Sequence, residues 1–258
     1  MILSGKRCVI TGGTKGIGAT TAKLFAENGA NVLIVGRDET NGLEIQKRSN
    51  GNIEFLKADL SNESDASKVA DVIGSMEPGI DVLINNASRS SRYSVLTLQL
   101  DEWKSILTLN LTSPFLLSKA AANNMIKNNI KGKILNIGAV QSLLPLNNSF
   151  AYTTTKGGVL SMTRSMAADL GEHGILVTTV LPGPVYVGTA GDEPLGDYDR
   201  ESSTLVGRMG RKTEIAKLLM FLSSDDNSFM TGNSIIIDGG RTVSRKCDPF
   251  QITEGYRS

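Results

Sequence analysis

Short apolar runs punctuate the chain at 7–11, 31–35, 53–56, 81–84, 132–137, 176–181 and 234–237. They are rich in Val, Ile and Leu with little polar alternation, the pattern of strands covered on both faces. Between them, amphipathic stretches at 17–28, 39–49, 63–75, 101–128, 150–171 and 211–223 predict helices. Strands alternating with helices imply right-handed crossovers, and so an α/β fold with a doubly wound, mostly parallel sheet of one strand per run, seven in all. No repeat or low-complexity linker breaks this order. Two regions stand apart. Residues 182–206 are scattered with Gly, Pro and Asp and read as a surface loop. The tail after Gly240 is polar, and its ordering is expected to come from a partner subunit.

Composition narrows the class. A chain of 258 residues suits one domain spanning 1–258, and 40% hydrophobic with 21% charged residues is a globular balance. A formal charge of +1 offers no electrostatic footprint for nucleic acid or an acidic membrane. Cys8 and Cys247 are the two cysteines, too few for a disulfide framework, so a reducing, cytoplasmic setting is expected. Neither a signal peptide nor an apolar run long enough to span a bilayer is read. The single histidine, His173 in "LGEHGI", reads as a surface or cap residue, and no metal site is legible.

The first chemistry lies in "VITGGTKGIGATTAKLFAENGA", which runs strand, turn, helix. Gly12 permits the tight turn, Gly16 lets backbone approach a pyrophosphate, and Gly18 lets the helix pack close to the strand. Glycine alone often marks only a turn; the strand before and the helix after supply the context that a dinucleotide site requires. The second chemistry lies in "AYTTTKGG", where Tyr152 and Lys156 stand four residues apart and share a helix face. A tyrosine is a poor proton carrier at neutral pH, and a nearby ammonium is expected to lower its pKa.

These motifs are similar to those of the short-chain dehydrogenase/reductase family. TGGTKGIG resembles its TGxxxGxG signature, and "DVLINNAS" its NNAG element with Ser88 in place of glycine. "LTLNLTSPF" supplies the family's helix asparagine as Asn110, "AYTTTKGG" its YxxxK pair, "VLPGPV" its PG turn, and "FMTGNSIIIDGG" its last strand. The resemblance runs from residue 6 to residue 240. It implies a Rossmann fold and hydride transfer between a nicotinamide cofactor and a small-molecule carbonyl or alcohol. Homotetramers, or homodimers, are implied as well. Within that picture Tyr152 is the general acid, Lys156 grips the nicotinamide ribose, and Asn110 holds a water that links Lys156 to solvent. The implied cofactor set is Gly12, Thr14, Lys15, Gly16, Ile17, Gly18, Arg37, Asp59, Leu60, Asn86, Ala87, Tyr152, Lys156, Pro182, Gly183 and Val185. Asp59 is implied to contact adenine, and Asn85 to brace the floor of the site.

The end of the second strand selects the cofactor. A carboxylate there would bind ribose hydroxyls and repel a 2′-phosphate, whereas a cation would attract it. Gly36 occupies the usual acid position, Arg37 follows, and Lys15 sits in the phosphate-binding turn, so NADP(H) is expected. Asp38 is the counter-signal, with helix capping as its plainer reading.

One part departs from the pattern. Thirteen residues before Tyr152, where the family carries a hydroxyl donor to the substrate oxygen, this chain has Ala139. Losing one such donor typically costs about 10²–10³ in rate. Ser142 could substitute from the following loop, Ala139 could be a substitution introduced to trap a complex, or the chain could bind NADP(H) as a non-catalytic sensor or regulatory subunit. A weakened reductase is the leading expectation. The expected substrate wall is Ser88, Ala139, Gln141, Ser142, Leu144, Tyr186 and Tyr198. The family's PGxxxT threonine falls at Val187, with Thr189 displaced by two. No Arg or Lys cluster is read there, so a neutral carbonyl or secondary alcohol is expected.

Overall fold

A computed structural model describes residues 1–188 and 203–244; Thr189, Tyr198 and Cys247 lie outside the described residues. The strands are β1 (Arg7–Thr11), β2 (Asn31–Gly36), β3 (Ile53–Lys57), β4 (Val82–Asn85), β5 (Lys133–Ile137), β6 (Leu176–Pro182) and β7 (Ser234–Ile237). They form one seven-stranded sheet in the order β3-β2-β1-β4-β5-β6-β7, and every pairing is parallel. The order reverses beside β1 and β4, where a crevice opens at the strands' carboxyl ends.

The helices are α1 (Gly16–Glu27), α2 (Glu39–Lys47), α3 (Glu63–Gly74), α4 (Leu100–Leu107), α5 (Ser113–Lys127), α6 (Phe150–Leu170) and α7 (Lys212–Ser223). Period-two alternation splits the strands between two cores. Cys8, Ile10, Ile34, Ile84 and Leu135 join Phe25 of α1 and Leu219 of α7 on one face. Val9, Val35, Leu83 and Ile134 join Val69 of α3 and Leu117 of α5 on the other. Both faces are covered, which is why the strand runs lack polar positions.

The stretch at 101–128 is not one helix. α4 ends at Leu107 and a π turn over Thr108–Thr112 precedes α5. Pro114 has no N–H to return to the carbonyl four residues earlier, that of Asn110, so the α-helical ladder cannot run through this point. The break sits against the cleft.

A polar chain runs through the sheet beneath it. Asn85 Nδ2 donates to Ser118 Oγ and to Asn136 Oδ1, both at 2.9 Å. Asn136 Nδ2 donates to Thr163 Oγ1 at 2.8 Å, which shares a 2.6 Å hydrogen bond with Thr179 Oγ1. This chain ties α5, β4, β5, α6 and β6 together, with Asn85 at one end of it.

Candidate active site

The turn after β1 is fixed by sterics. Gly12 has φ +65°, and a Cβ there would stand 2.8 Å from Asn86 Nδ2 and 2.9 Å from Ala87 Cα. A Cβ on Gly18 would collide with the Gly12 carbonyl oxygen, so this glycine lets α1 lie on the strand end. Thr11 Oγ1 accepts the N–H groups of Asn86 and Ala87, each at 2.9 Å, and Asn86 Nδ2 donates to the Thr11 carbonyl at 2.8 Å. The ends of β1 and β4 are thereby clamped. Gly16, at φ +58°, would meet nothing closer than Val187 at 3.9 Å, so its backbone is open to a ligand. α1 starts there with no side-chain cap and no acidic residue in its first turn, which leaves its N–H groups for an anion.

Beside this turn lies a cavity of about 430 Å³ that brings together Gly12, Thr14, Lys15, Arg37, Asp59, Leu60 and Ala87. Gly36 also lines it, and a Cβ on Gly36 would stand 2.8 Å from the Thr14 methyl group. The position where an acid would read the ribose is thus closed by Thr14. Asp38 spends its carboxylate on capping α2, accepting from Asn41 N at 3.1 Å and Asn41 Nδ2 at 2.6 Å. Arg37 stands 3.5 Å from Asp59. Partial burial works to raise the Asp59 pKa, but hydrogen bonds from Ser61 and the Arg37 charge together hold it below the usual value.

Ser88 borders both this cavity and a second one of about 360 Å³. The second gathers Ile17, Asn86, Pro182, Gly183 and Val185 of the expected cofactor set with Tyr152, Lys156 and Ala139, and with Gln141 and Leu144. Val187 lines it too. Two expected wall residues are elsewhere. Ser142 donates its hydroxyl back to the Ala139 carbonyl at 2.7 Å, within its own short 3₁₀ turn, and does not line the cavity. It is therefore not a substitute donor in this geometry. Tyr186 is off the wall as well, with its ring end where a Cβ on Gly188 would fall.

Tyr152 and Lys156 follow the helix-face expectation: Lys156 Nζ lies 5.7 Å from the centre of the Tyr152 ring. The pKa expectation is reversed. Burial pushes the phenol up to about 12 and pushes the ammonium down to about 8. Desolvation outweighs the pair's mutual effect, because both groups sit inside the fold without a carboxylate beside them. Lys156 Nζ donates to the Ile137 carbonyl at 2.6 Å, which ties α6 to the end of β5.

The Asn110 side chain is committed to structure. Its Oδ1 accepts from Arg89 N at 3.0 Å, and its Nδ2 donates to the Arg89 carbonyl at 3.0 Å and to Thr155 Oγ1 at 3.1 Å. Its backbone carbonyl lacks the usual α-helical donor four residues on, because Pro114 has no N–H. Sequence reading placed Asn110 in the site without showing which of its atoms is available.

The sequence reading missed Arg241. It is 8% exposed and lines the reaction cavity with Tyr152. The polar tail is expected to be ordered by a partner subunit, yet its first residue is folded inward within the chain itself. The signal was its place directly after "DGG", at the mouth of the last strand. Among the described residues no cluster of His, Cys, Asp or Glu could hold a metal, and no helix is long and apolar enough to cross a membrane.

A family model described as Enoyl-(Acyl carrier protein) reductase matches residues 12–242. The chain belongs to the short-chain dehydrogenase/reductase family. One relative of this family, an uncharacterized oxidoreductase of Thermotoga maritima, is 35% identical over 252 residues, covering 94% of this chain and 98% of its own. Glucose 1-dehydrogenase 2 of Bacillus subtilis is 32% identical over 250 residues, covering 93% and 96%. A solved short chain dehydrogenase/reductase family protein superposes with a TM-score of 0.85 at 31% identity, over 95% of this chain and all of its own. As a family member the chain is an oxidoreductase for a small molecule and uses a nicotinamide cofactor, NAD or NADP.

Proposed function

We propose that this chain is an NADPH-dependent reductase of a carbonyl, reversible toward the secondary alcohol. The observation that carries the reading is the convergence of Tyr152 and Lys156 on the cavity adjoining the glycine turn. The cofactor supplies the hydride, or accepts it in the reverse direction. In reduction the carbonyl carbon gains that hydride, and the Tyr152 O–H gives its proton to the oxygen as the alkoxide forms. A phenol held up to about 12 stays protonated at neutral pH, which suits an acid. Lys156, on α6 and hydrogen-bonded to the end of β5, is the cation that would grip the nicotinamide ribose. The Asn110 carbonyl is the acceptor for a water that returns the proton to Tyr152.

The preference for NADPH rests on Lys15 and Arg37 at the adenosine cavity, with Gly36 closed to an acid and Asp38 turned into a cap. Assembly as a homotetramer, or homodimer, is supported by exposed apolar side chains on two elements: Phe115 on α5, and Ile236 on edge strand β7 with Phe229 just before it.

The test follows NADPH and NADH consumption over a panel of ketones and aldehydes, with Ala139→Ser beside the parent chain. NADPH should be the better cofactor. Restoring the hydroxyl should raise kcat, by up to about 10²–10³-fold. Tight NADPH binding with no consumption by either chain would overturn the reading in favour of a non-catalytic binding protein.

A further inference from the structure

Arg241 is a basic group in the cavity that holds Tyr152, at a position the sequence reading did not place there. Its place is built. Asp238, just past β7, accepts Gly240 N on Oδ1 at 2.8 Å and Thr242 N on Oδ2 at 2.7 Å, and its carbonyl accepts Arg241 N at 3.2 Å. Gly239 and Gly240 take φ +61° and +81°, where other residues are strained. A Cβ on Gly183 would stand 2.6 Å from Asp238 Cα, so the turn that carries Arg241 packs directly on the Pro182–Gly183 end of β6. The guanidinium is thereby carried by the same framework that positions the cofactor-side wall.

The described lining of this cavity includes two cations, Lys156 and Arg241, and no Asp or Glu. Lys156 is engaged with the Ile137 carbonyl. Arg241 has a further interaction of its own, and its guanidinium carries five N–H donors in a planar fork. A guanidinium keeps its charge at any working pH and matches a carboxylate in two parallel hydrogen bonds. Ser88, Ser90 and Gln141 add neutral polar groups to the same wall. The rest of the lining is largely apolar, which suits a short carbon chain between the charged end and the reacting carbon.

We propose that Arg241 makes this an oxo-acid site: the substrate is a small carbonyl compound that carries a carboxylate, held by Arg241 with its carbonyl oxygen toward Tyr152. This rests on the reductase reading and replaces the neutral substrate expected from the sequence. It also gives a reason for tolerating Ala139, because a carboxylate anchored by Arg241 orients the carbonyl without the missing hydroxyl donor.

The experiment compares short oxo acids with their methyl esters as oxidants of NADPH, on the parent chain, Arg241→Gln and Arg241→Lys. The parent chain should favour the acid over the ester. Arg241→Gln should raise KM for the acid by about 10- to 100-fold while leaving the ester within about twofold, the scale of one charge-assisted pair. Arg241→Lys should recover part of that loss. Should the Gln variant fail to fold, inhibition of the parent chain by a simple aliphatic carboxylate carries the test, and it should be competitive with the carbonyl substrate. Equal use of acid and ester overturns this proposal and leaves the reductase reading intact. A drop in thermal stability with acid and ester kinetics changed alike also overturns it, assigning Arg241 to structure. If no carbonyl compound is reduced, calorimetry with the same carboxylate decides the site. Binding that Arg241→Gln abolishes upholds the anion site while the reductase reading falls; absence of binding sinks both.

Discussion

The two cavities that meet at Ser88 are built from different materials. On the side of the glycine turn the decisive features are backbone: Gly12 and Gly18 lack a Cβ because none fits, Gly36 faces Thr14, and α1 begins without a cap. On the reaction side the decisive features are side chains drawn from remote segments. Tyr152 and Lys156 come from α6, Gln141 from the turn after β5, and Arg241 from beyond β7. Backbone constraints leave little freedom for substitution, whereas a wall of side chains can be rebuilt residue by residue. One side is thus held to a common cofactor, and the other is free to change its substrate. Ala139, at the position where the family pattern has a hydroxyl, and Arg241 both stand on the side that is free to change.

The largest effect that would sharpen this contrast is on the acid itself. Tyr152→Phe removes the proton donor and should lower kcat by about 10²–10⁴. NADPH affinity, read by fluorescence, should barely move, because the side of the glycine turn is untouched. A comparable loss of binding would mean that the two sides are not separable.

The buried ammonium provides the next test, on the protein without cofactor. Lys156 has its pKa lowered from 10.5 to about 8 by burial, so between those values the unfolded chain holds a proton that the folded chain has released. Stability should therefore rise with pH across that window, and the cost of the buried charge should be fully present below it. Urea unfolding against pH should show the parent chain gaining on Lys156→Met by at most about 3 kcal/mol. A flat difference would place Lys156 in a wetter environment than this geometry gives.

Gly18→Ala tests the backbone side. The added methyl collides with the Gly12 carbonyl, so overpacking should cost about 1–3 kcal/mol. Cofactor binding should weaken along with stability, since the displaced turn is the phosphate cradle. Thermal melts with and without NADPH would show both. The smallest expected effect is at Arg37, which is 62% exposed. Arg37→Ala should raise KM for NADPH by about tenfold, the scale of one charge-assisted contact, and leave NADH nearly unchanged. Equal effects on both cofactors would remove the basis for the NADP preference.

The sheet was legible because strands buried on both faces must be apolar throughout; every predicted run became a strand, with ends moved by a residue or so. The glycine turn was legible because its requirements are local. The break at Thr108–Thr112 was less so: Pro114 was visible, but the apolar pattern of the π turn continues the helix through it. Ser142 and Gln141 are neighbours in sequence, yet only Gln141 lines the cavity, since a 3₁₀ turn directs the Ser142 hydroxyl back to Ala139. No periodicity encodes that choice.

The sequence by itself determined the seven strand runs, the glycine turn after the first of them and the Tyr152–Lys156 pair, because each depends on residues close in the chain and on rules of local geometry. Two matters were left to the tertiary structure: the reversed pKa values of that pair and the inward turn of Arg241. Each depends on what lies across the fold from the residue, and desolvation, steric exclusion and distant packing are set only when the chain has closed around it.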